Sequence, residues 1–176
     1  PLSLEAIPAL DDIKSAGLFG VKLHPDYQGF MVDDEAVFPV YERCEALGLP
    51  IIFHSGFDFI SPNLVHCSPQ SLAKVADIFP NLTIIAAHLG GYRRWDDVEK
   101  YLVGKENVWF DTALLYGIIE RAQARRIIIA HKKVLFGSDC PWHSPKEEAA
   151  FIRSLSLGEE LLDKIFSENA IKLLNI

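Results

Sequence analysis

The apolar residues of this chain fall into short runs that alternate with longer amphipathic segments. The runs carry apolar side chains on both faces rather than alternating apolar and polar positions, which is typical of parallel strands covered by helices. They predict strands over residues 18–24, 51–54, 82–88, 108–112 and 134–138. Regular alternation of such strands with helices predicts an α/β fold with a parallel sheet.

The segments between the runs have helical periodicity and residues that favour helix ends. Gly48, with Pro50 just beyond it, ends one predicted helix, and Ser68 followed by Pro69 begins the next. Residues 144–147 form a capping box for a later helix. The predicted helices cover about residues 3–15, 34–47, 69–79, 95–102, 117–131, 144–155 and 156–174.

One polar residue stands in or just after each predicted strand, and these residues are Lys22, His54, His88, Asp111 and Asp139. They are separated by 32, 34, 23 and 28 positions, which is the repeat length of a βα unit. The chain has no Gly-x-Gly-x-x-Gly turn, so a barrel of the TIM type is favoured over a nucleotide-binding open sheet. Only the equivalent of the last five units of a (β/α)8 barrel is visible, and we expect residues 1–176 to form a single domain truncated at its front.

Three of these polar residues can bind a metal or transfer a proton. His54, His88 and Asp139 each end an apolar run, and a polar residue there has a desolvation cost that some function must offset. Because the carboxyl ends of parallel strands meet at one face of a barrel, we expect the three side chains to converge. Two histidines and an aspartate suit Zn2+ best, with Mn2+ or Fe2+ as alternatives. The pattern predicts a metal-dependent enzyme.

The first and fourth strands add candidates with more than one interpretation. Lys22 could be a carboxylated metal bridge or bind a substrate anion, although an ion pair with a barrel carboxylate explains it equally well. His24 shares a face with Lys22 and could either border the substrate pocket or anchor a loop. Asp111 could orient a ligand histidine or cap the following turn.

The loops supply further candidates. His66 and Asp58 lie in the long loop after the second strand, where binding residues concentrate, although a solvated loop also explains them. Trp142 could line a pocket for a planar substrate, as could Trp95, with ordinary packing as the alternative. Cys140 adjoins Asp139, but no pattern that would activate its thiol is present.

Composition and charge argue against several classes of partner. The net charge is −7 and no basic run is longer than two residues, which disfavours nucleic acid as a partner. No apolar stretch is long enough to span a bilayer and no signal peptide is apparent, so we expect no membrane association. The three cysteines lack zinc-ribbon or redox spacing and are interpreted as reduced thiols of a cytoplasmic protein.

Four motifs, in order, resemble a known family. Residues 20–25 (GVKLHP), 49–56 (LPIIFHSG), 86–91 (AAHLGG) and 135–142 (LFGSDCPW) are similar to strands 4, 5, 6 and 8 of the amidohydrolase-related enzymes. These are metal-dependent barrels of the amidohydrolase superfamily, in the branch that includes aminocarboxymuconate semialdehyde decarboxylase-like enzymes. Residues 169–174 are similar to the family's C-terminus.

The resemblance implies a role for each matching position. His54 would be a metal ligand, and His88 would bind a second metal or act as acid and base beside the substrate. Asp139 would bind the metal and take a proton from its water. Family members also carry a His-x-His pair on their first strand, and this sequence contains no such pair.

These observations together predict a metal-dependent hydrolase that acts on a small carboxylated or cyclic substrate through a metal-activated water. Two alternatives remain open: a metal-dependent decarboxylase on the same scaffold, and a non-catalytic barrel fragment that lacks the His-x-His pair. A truncated barrel would also leave its first and last strands with unpaired edges. Because exposed edges pair with other chains, we expect a homo-oligomer.

Overall fold

The computed structural model describes residues 6–176, in which five parallel strands form one sheet in sequence order. The strands are β1 (Val21–Leu23), β2 (Ile51–Phe53), β3 (Ile84–Ala86), β4 (Val108–Asp111) and β5 (Val134–Leu135). The parallel α/β sheet predicted from the apolar runs is therefore confirmed. Each strand is shorter than its run, because residues at one or both ends of the runs lie outside the sheet, most of the polar residues at the carboxyl ends among them.

Helices connect the strands and cover one face of the sheet. They are α1 (Ala6–Ser15), α2 (Pro25–Gln28), α3 (Phe38–Leu47), α4 (Pro69–Ile78), α5 (Trp95–Tyr101), α6 (Arg121–His131), α7 (Pro145–Arg153), α8 (Glu159–Asp163) and α9 (Asn169–Leu174). A 3-10 turn, Glu35–Val37, precedes α3, and a π-helical segment, Lys164–Glu168, joins α8 to α9. Residues 3–5 of the first predicted helix lie outside the described residues.

The predicted helix ends at three positions are confirmed by their hydrogen bonds. The Ser68 hydroxyl accepts from the N–H of Ser71 at 3.1 Å, and the Ser144 hydroxyl accepts from the N–H of Glu147 at 3.4 Å. Gly48 ends α3 with φ of 61°, a left-handed conformation that glycine adopts without steric cost.

Other boundaries differ from the prediction for local reasons. The helix predicted from residue 117 begins at Arg121, because Gly117 has φ of 73° and cannot continue a right-handed helix. The predicted loop after β1 contains the short helix α2, whose N-terminus His24 caps. The last predicted helix is divided, and its first part begins after Gly158 rather than at residue 156.

The two faces of the sheet differ in burial. One row of strand residues, including Ile51, Ile84 and Val108, is fully buried beneath the helices. In the row beside it, Lys22 is exposed and Trp109 is partly exposed. The second face is therefore less buried than the first, although Ile85 in the same row is only 5% exposed. In a barrel, that second face points inward.

The core lies between the buried face of the sheet and the helices. Tyr41, Phe53 and Phe110 are among its largest side chains without solvent exposure. No helix in the described part of the chain combines the length and apolar character needed to cross a membrane.

Candidate active site

A cavity of about 840 Å³ opens where the carboxyl ends of the strands meet. Six of the predicted site residues line it: Lys22, His24, His54, His88, Asp139 and Trp142. Parallel pairing brings these residues together from different strands and loops, since each βα unit ends at the same side of the sheet. His66 and Asp111 do not line the cavity.

Three metal-binding side chains of residues 6–176 lie close together, and they are His24, His54 and Asp58. One ligand atom from each lies within 4.8 Å of the others. Asp58 Oδ2 is 3.3 Å from His54 Nε2 and 3.6 Å from His24 Nε2. The ligands of one tetrahedral ion, each bound at about 2.1 Å, lie roughly 3.4 Å apart, so these separations suit a shared cation.

Hydrogen bonding determines which nitrogen of His54 carries a proton. His88 Nδ1 is 3.2 Å from the carbonyl oxygen of Ala113, which can only accept, so this nitrogen donates. His88 Nε2 then carries a lone pair in the neutral ring and accepts from His54 Nδ1 at 3.0 Å. His54 Nε2 is consequently left with a lone pair, and it faces the Asp58 carboxylate.

Both rings remain neutral at ordinary pH. Burial, together with the nearby His88 and His24 rings, lowers the pKa of His54 to about 3, against the opposing effect of Asp58. Burial and the Lys22 charge likewise lower the pKa of His88 to about 4, against the opposing effect of Asp139. Neutral imidazole is the form that binds metals.

A lone pair facing a carboxylate is unfavourable unless a cation lies between them. His54 Nε2 is buried and has no hydrogen-bond partner among the described residues. Such a group costs about 1–3 kcal/mol when left unsatisfied. The donor set of imidazole and carboxylate therefore fits a divalent metal ion.

The His24 ring stacks on the His54 ring, with centroids 4.1 Å apart and planes 7° from parallel. His24 Nδ1 accepts from the N–H of Tyr27 at 3.4 Å, a long and weak bond that does not fix the tautomer of the ring. A neutral ring that accepts at Nδ1 carries its proton on Nε2, so His24 would bind a metal through Nε2 only in its other tautomer, which gives up the bond from Tyr27. Burial lowers the pKa of His24, which also favours the neutral ring.

The backbone of His88 is held in a strained conformation. Its φ is 61°, in the left-handed region that non-glycine residues rarely occupy. Asp111 Oδ1 accepts the N–H of His88 at 2.8 Å and that of Ala113 at 3.0 Å, while Trp95 Nε1 donates to the His88 carbonyl at 3.0 Å. Asp111 thus contacts both the backbone of His88 and the turn that follows β4. Trp95 is buried and does not line the cavity.

Asp139 follows β5 and lines the cavity from an exposed turn. Its φ is 58°, and its carbonyl accepts from the N–H of Trp142 at 2.9 Å. Strain of this kind costs on the order of 1 kcal/mol or more and is concentrated at functional sites. Asp139 is not one of the three residues in the tight His24–His54–Asp58 group.

Lys22 and Trp142 border the same cavity. The structure shows no ion pair for Lys22 with any carboxylate of residues 6–176, so its ammonium group is available at the cavity. Trp142 is 76% exposed, and its ring forms an apolar border.

His66 lies in the loop after β2 and does not line the cavity. Its Nδ1 is 2.9 Å from Asp26 Oδ1, and the Asp26 side chain has no solvent exposure. Ser61 donates to the same carboxylate oxygen. These contacts tie the loop that carries Asp58 to helix α2.

The structure brings to the site Asp58, which the sequence marks only weakly, and two further residues that no motif marks. Asp58 stands four positions after His54, a spacing that is a weak signal in a loop. His143 lines the cavity, and its Nδ1 is 2.5 Å from Oε1 of Glu148 on α7. The only sequence signal for this pair is a histidine and a glutamate flanking a helix start.

Comparison with known proteins adds to this geometry. The family model described as amidohydrolase matches residues 7–176. No curated protein sequence matches the chain.

Solved structures share the fold. An uncharacterised TIM-barrel protein of Bordetella bronchiseptica is 24% identical with a TM-score of 0.84, over 99% of this chain and 64% of that protein. A dihydroxybenzoic acid decarboxylase of Polaromonas, with bound manganese and the inhibitor 2-nitroresorcinol, is 18% identical with a TM-score of 0.70. The match covers 97% of this chain and 65% of that protein. A probable 2-pyrone-4,6-dicarboxylic acid hydrolase of Acinetobacter baumannii, with bound citric acid, is 14% identical with a TM-score of 0.69. The match covers 97% of this chain and 69% of that protein. The chain thus spans less than two thirds of the length of the Bordetella protein.

Proposed function

The chain belongs to the amidohydrolase family, and on that premise we propose that it carries the site of a metal-dependent hydrolase acting on a small carboxylated or cyclic substrate. Members of this family are metal-dependent enzymes, hydrolases and decarboxylases among them. The observation that supports a metal most directly is the buried, unpartnered His54 Nε2 facing the Asp58 carboxylate at 3.3 Å.

His54, Asp58 and His24 would hold the metal in this geometry. When bound, a divalent metal polarises a substrate carbonyl and lowers the pKa of water at the site. Zn2+ is the proposed ion, with Mn2+ or Fe2+ as alternatives. His88 has both ring nitrogens in hydrogen bonds, so it keeps the lone pair of His54 Nε2 directed at the site. It would bind a second metal, or transfer a proton, only after releasing one of these bonds.

Asp139 is the proposed proton acceptor and an additional metal ligand. Its carboxylate is exposed to the cavity, where it can accept a proton from the attacking water at a carboxylate oxygen. Lys22 presents an ammonium group that can bind a substrate carboxylate. Trp142 and Phe59 border the cavity with aromatic rings, against which a planar or cyclic substrate can pack.

Decarboxylation is the second candidate, supported by the likeness to the Polaromonas decarboxylase. The same residues serve it: Lys22 binds the carboxylate that leaves, and Asp139 in its protonated form delivers a proton to the carbon atom. The remaining alternative is not an enzyme but a barrel fragment without catalytic activity. The cytoplasmic location and the homo-oligomer remain predictions.

Metal binding tests the proposal first. Titration of the chain with Zn2+ or Mn2+ by calorimetry is expected to show binding that Asp58→Asn weakens by roughly 10-fold or more, since the amide lacks the ligand's charge. Asp33→Asn is the matched control, because Asp33 pairs with Lys74 on the surface and should leave the affinity unchanged. Equal affinities for the wild type and Asp58→Asn would reject the proposed ligand set.

Turnover tests it second. The metal-loaded chain is assayed with a panel of small lactones, cyclic amides and aromatic carboxylates, with product acids and CO2 measured separately. Release of a new carboxylate supports hydrolysis, and release of CO2 supports decarboxylation. Metal binding without turnover on any member of the panel would favour the non-catalytic fragment.

A further inference from the structure

His143 and Glu148 form a second histidine–carboxylate pair at the edge of the cavity. Glu148 is on α7 with no solvent exposure, and its Oε1 is 2.5 Å from His143 Nδ1. The same oxygen accepts the N–H of Leu115 at 3.1 Å. Tyr116 donates its N–H to both carboxylate oxygens, at 3.2 and 3.1 Å. These bonds fix the position of the carboxylate within the protein.

This arrangement fixes the tautomer of His143. Backbone N–H donors stabilise the ionised carboxylate, although burial of the side chain raises the pKa of Glu148. An ionised carboxylate only accepts, so His143 Nδ1 donates to it. In the neutral ring Nε2 then carries a lone pair. The His143 side chain is 24% exposed and lines the cavity, and within residues 6–176 its Nε2 has no hydrogen-bond partner.

We propose that His143 is a further catalytic base of this cavity and that Glu148 is the residue that positions it. This inference rests on the proposed function, because it concerns a substrate bound in the same cavity. The matching ligand is a molecule that brings a hydroxyl group to His143 Nε2. The O–H bond breaks, the proton goes to Nε2, and the electron pair stays on the oxygen. The imidazolium that forms is stabilised by the adjacent Glu148 carboxylate.

A purely structural role for the pair makes a different prediction. Tying the loop after β5 to α7 requires only the bond between Nδ1 and the carboxylate, and Nε2 then plays no part. A catalytic role requires that Nε2 be unprotonated and reachable by a ligand. The catalytic role therefore has two requirements that the structural role does not have: Nε2 must be unprotonated, which can be measured directly, and a ligand must reach it.

Side-chain nitrogen NMR of the full chain makes this measurement. His143 should give a protonated Nδ1 and an unprotonated Nε2. In Glu148→Gln the amide can donate as well as accept, so the tautomer preference should be lost. Glu147→Gln changes the neighbouring exposed glutamate and should leave the His143 signals unchanged. A protonated Nε2 in the wild type would overturn the proposal, even if Glu148→Gln fails to fold.

A probe with an acidic hydroxyl group tests ligand contact. 4-Nitrophenol has different absorbance as phenol and as phenolate, so it reports where the proton lies. In the presence of the chain, a larger phenolate fraction and a shifted His143 Nε2 signal are expected, and His143→Gln should abolish both. An unshifted Nε2 signal at saturating probe would reject the contact. These readouts need neither metal nor turnover, so failure of the proposed hydrolase would not alter them.

Discussion

Gly56 and Tyr92 pair backbone to backbone beyond the ends of their strands. The N–H of Tyr92 donates to the Ser55 carbonyl, and the N–H of Phe57 donates to the Tyr92 carbonyl, both at 2.8 Å. The parallel pairing of β2 and β3 therefore resumes in the loops that follow them. Because Asp58 lies two residues beyond Gly56, this contact places its carboxylate at the cavity.

Gly56→Ala should be strongly destabilising. Gly56 has φ of 94°, and a Cβ there would lie 2.2 Å from the backbone nitrogen of Tyr92, which cannot move without breaking the pairing. We expect a loss of about 3 kcal/mol or more in the free energy of unfolding. Gly158→Ala is the matched control, since Gly158 has φ of 83° but nothing within 4 Å, and it should cost about 1 kcal/mol. Similar losses for the two variants, measured by urea unfolding, would contradict the role of the contact.

Asp26→Ala should loosen the loop that carries Asp58. It removes the buried acceptor of both His66 and Ser61, and we expect a loss of about 2 kcal/mol and faster hydrogen exchange in residues 57–66. Asp33→Ala removes a surface ion pair with Lys74 and should cost less than about 1 kcal/mol. Unchanged exchange rates in Asp26→Ala would show that the pair does not hold the loop.

Local sequence patterns were sufficient for the sheet. An apolar run reports burial of its own residues, so the strands and their parallel order follow from runs and spacing. The convergence of His54, His88 and Asp139 on one cavity follows in turn, because parallel strands share their carboxyl end. What these residues do there remains a proposal.

Contacts between distant residues explain what the sequence did not reveal. The position of Asp58 depends on Gly56 meeting Tyr92, 36 positions away, and on Asp26 meeting His66, 40 positions away. No local pattern encodes such contacts, so the sequence does not distinguish Asp58 in a site from Asp58 in a solvated loop. The His24–His54 stacking likewise depends on how two neighbouring strands end.

His131 should make stability depend on pH. Burial lowers its pKa to about 4, and the neutral ring accepts from the N–H of Gly104 while Nε2 donates to the Val108 carbonyl. The unfolded chain, with a pKa of about 6.5, binds the proton first as the pH falls. The neutral His131 ring therefore contributes fully to the free energy of unfolding above pH of about 6.5. This contribution is lost as the pH falls to about 4, a change on the order of 3 kcal/mol.

Unfolding of the wild type and His131→Phe across this pH range measures the effect. The phenyl ring cannot titrate. The unfolding free energy of the wild type, minus that of His131→Phe, should therefore decrease as the pH falls from about 6.5 to 4. A difference that stays constant with pH would show that the ring is not held neutral.

The edge of β1 should promote self-association. Among the described residues β1 pairs with β2 only, and Leu18 and Phe19 beside it are 56% and 53% exposed. Open edges flanked by apolar side chains pair with other chains. On size-exclusion chromatography we expect the 19.7 kDa chain to elute as an oligomer and Phe19→Lys to shift it toward monomer. Ile78→Lys, on the outer face of α4, is the control, and a monomeric wild type would reject the prediction.

Asp139→Asn tests the proposed chemistry. The amide keeps the shape of the carboxylate and the turn to Trp142, but it cannot accept a proton. With a substrate found in the panel, turnover should fall by about 10²-fold or more, the range typical of general acid–base groups. The Michaelis constant should change little, since Lys22 and the aromatic rings that would bind the substrate are untouched. Metal content measured on the same samples separates loss of the ion from loss of the base. An enzyme that retains both its metal and its turnover would show that another residue accepts the proton, and His143 would then be the first to examine.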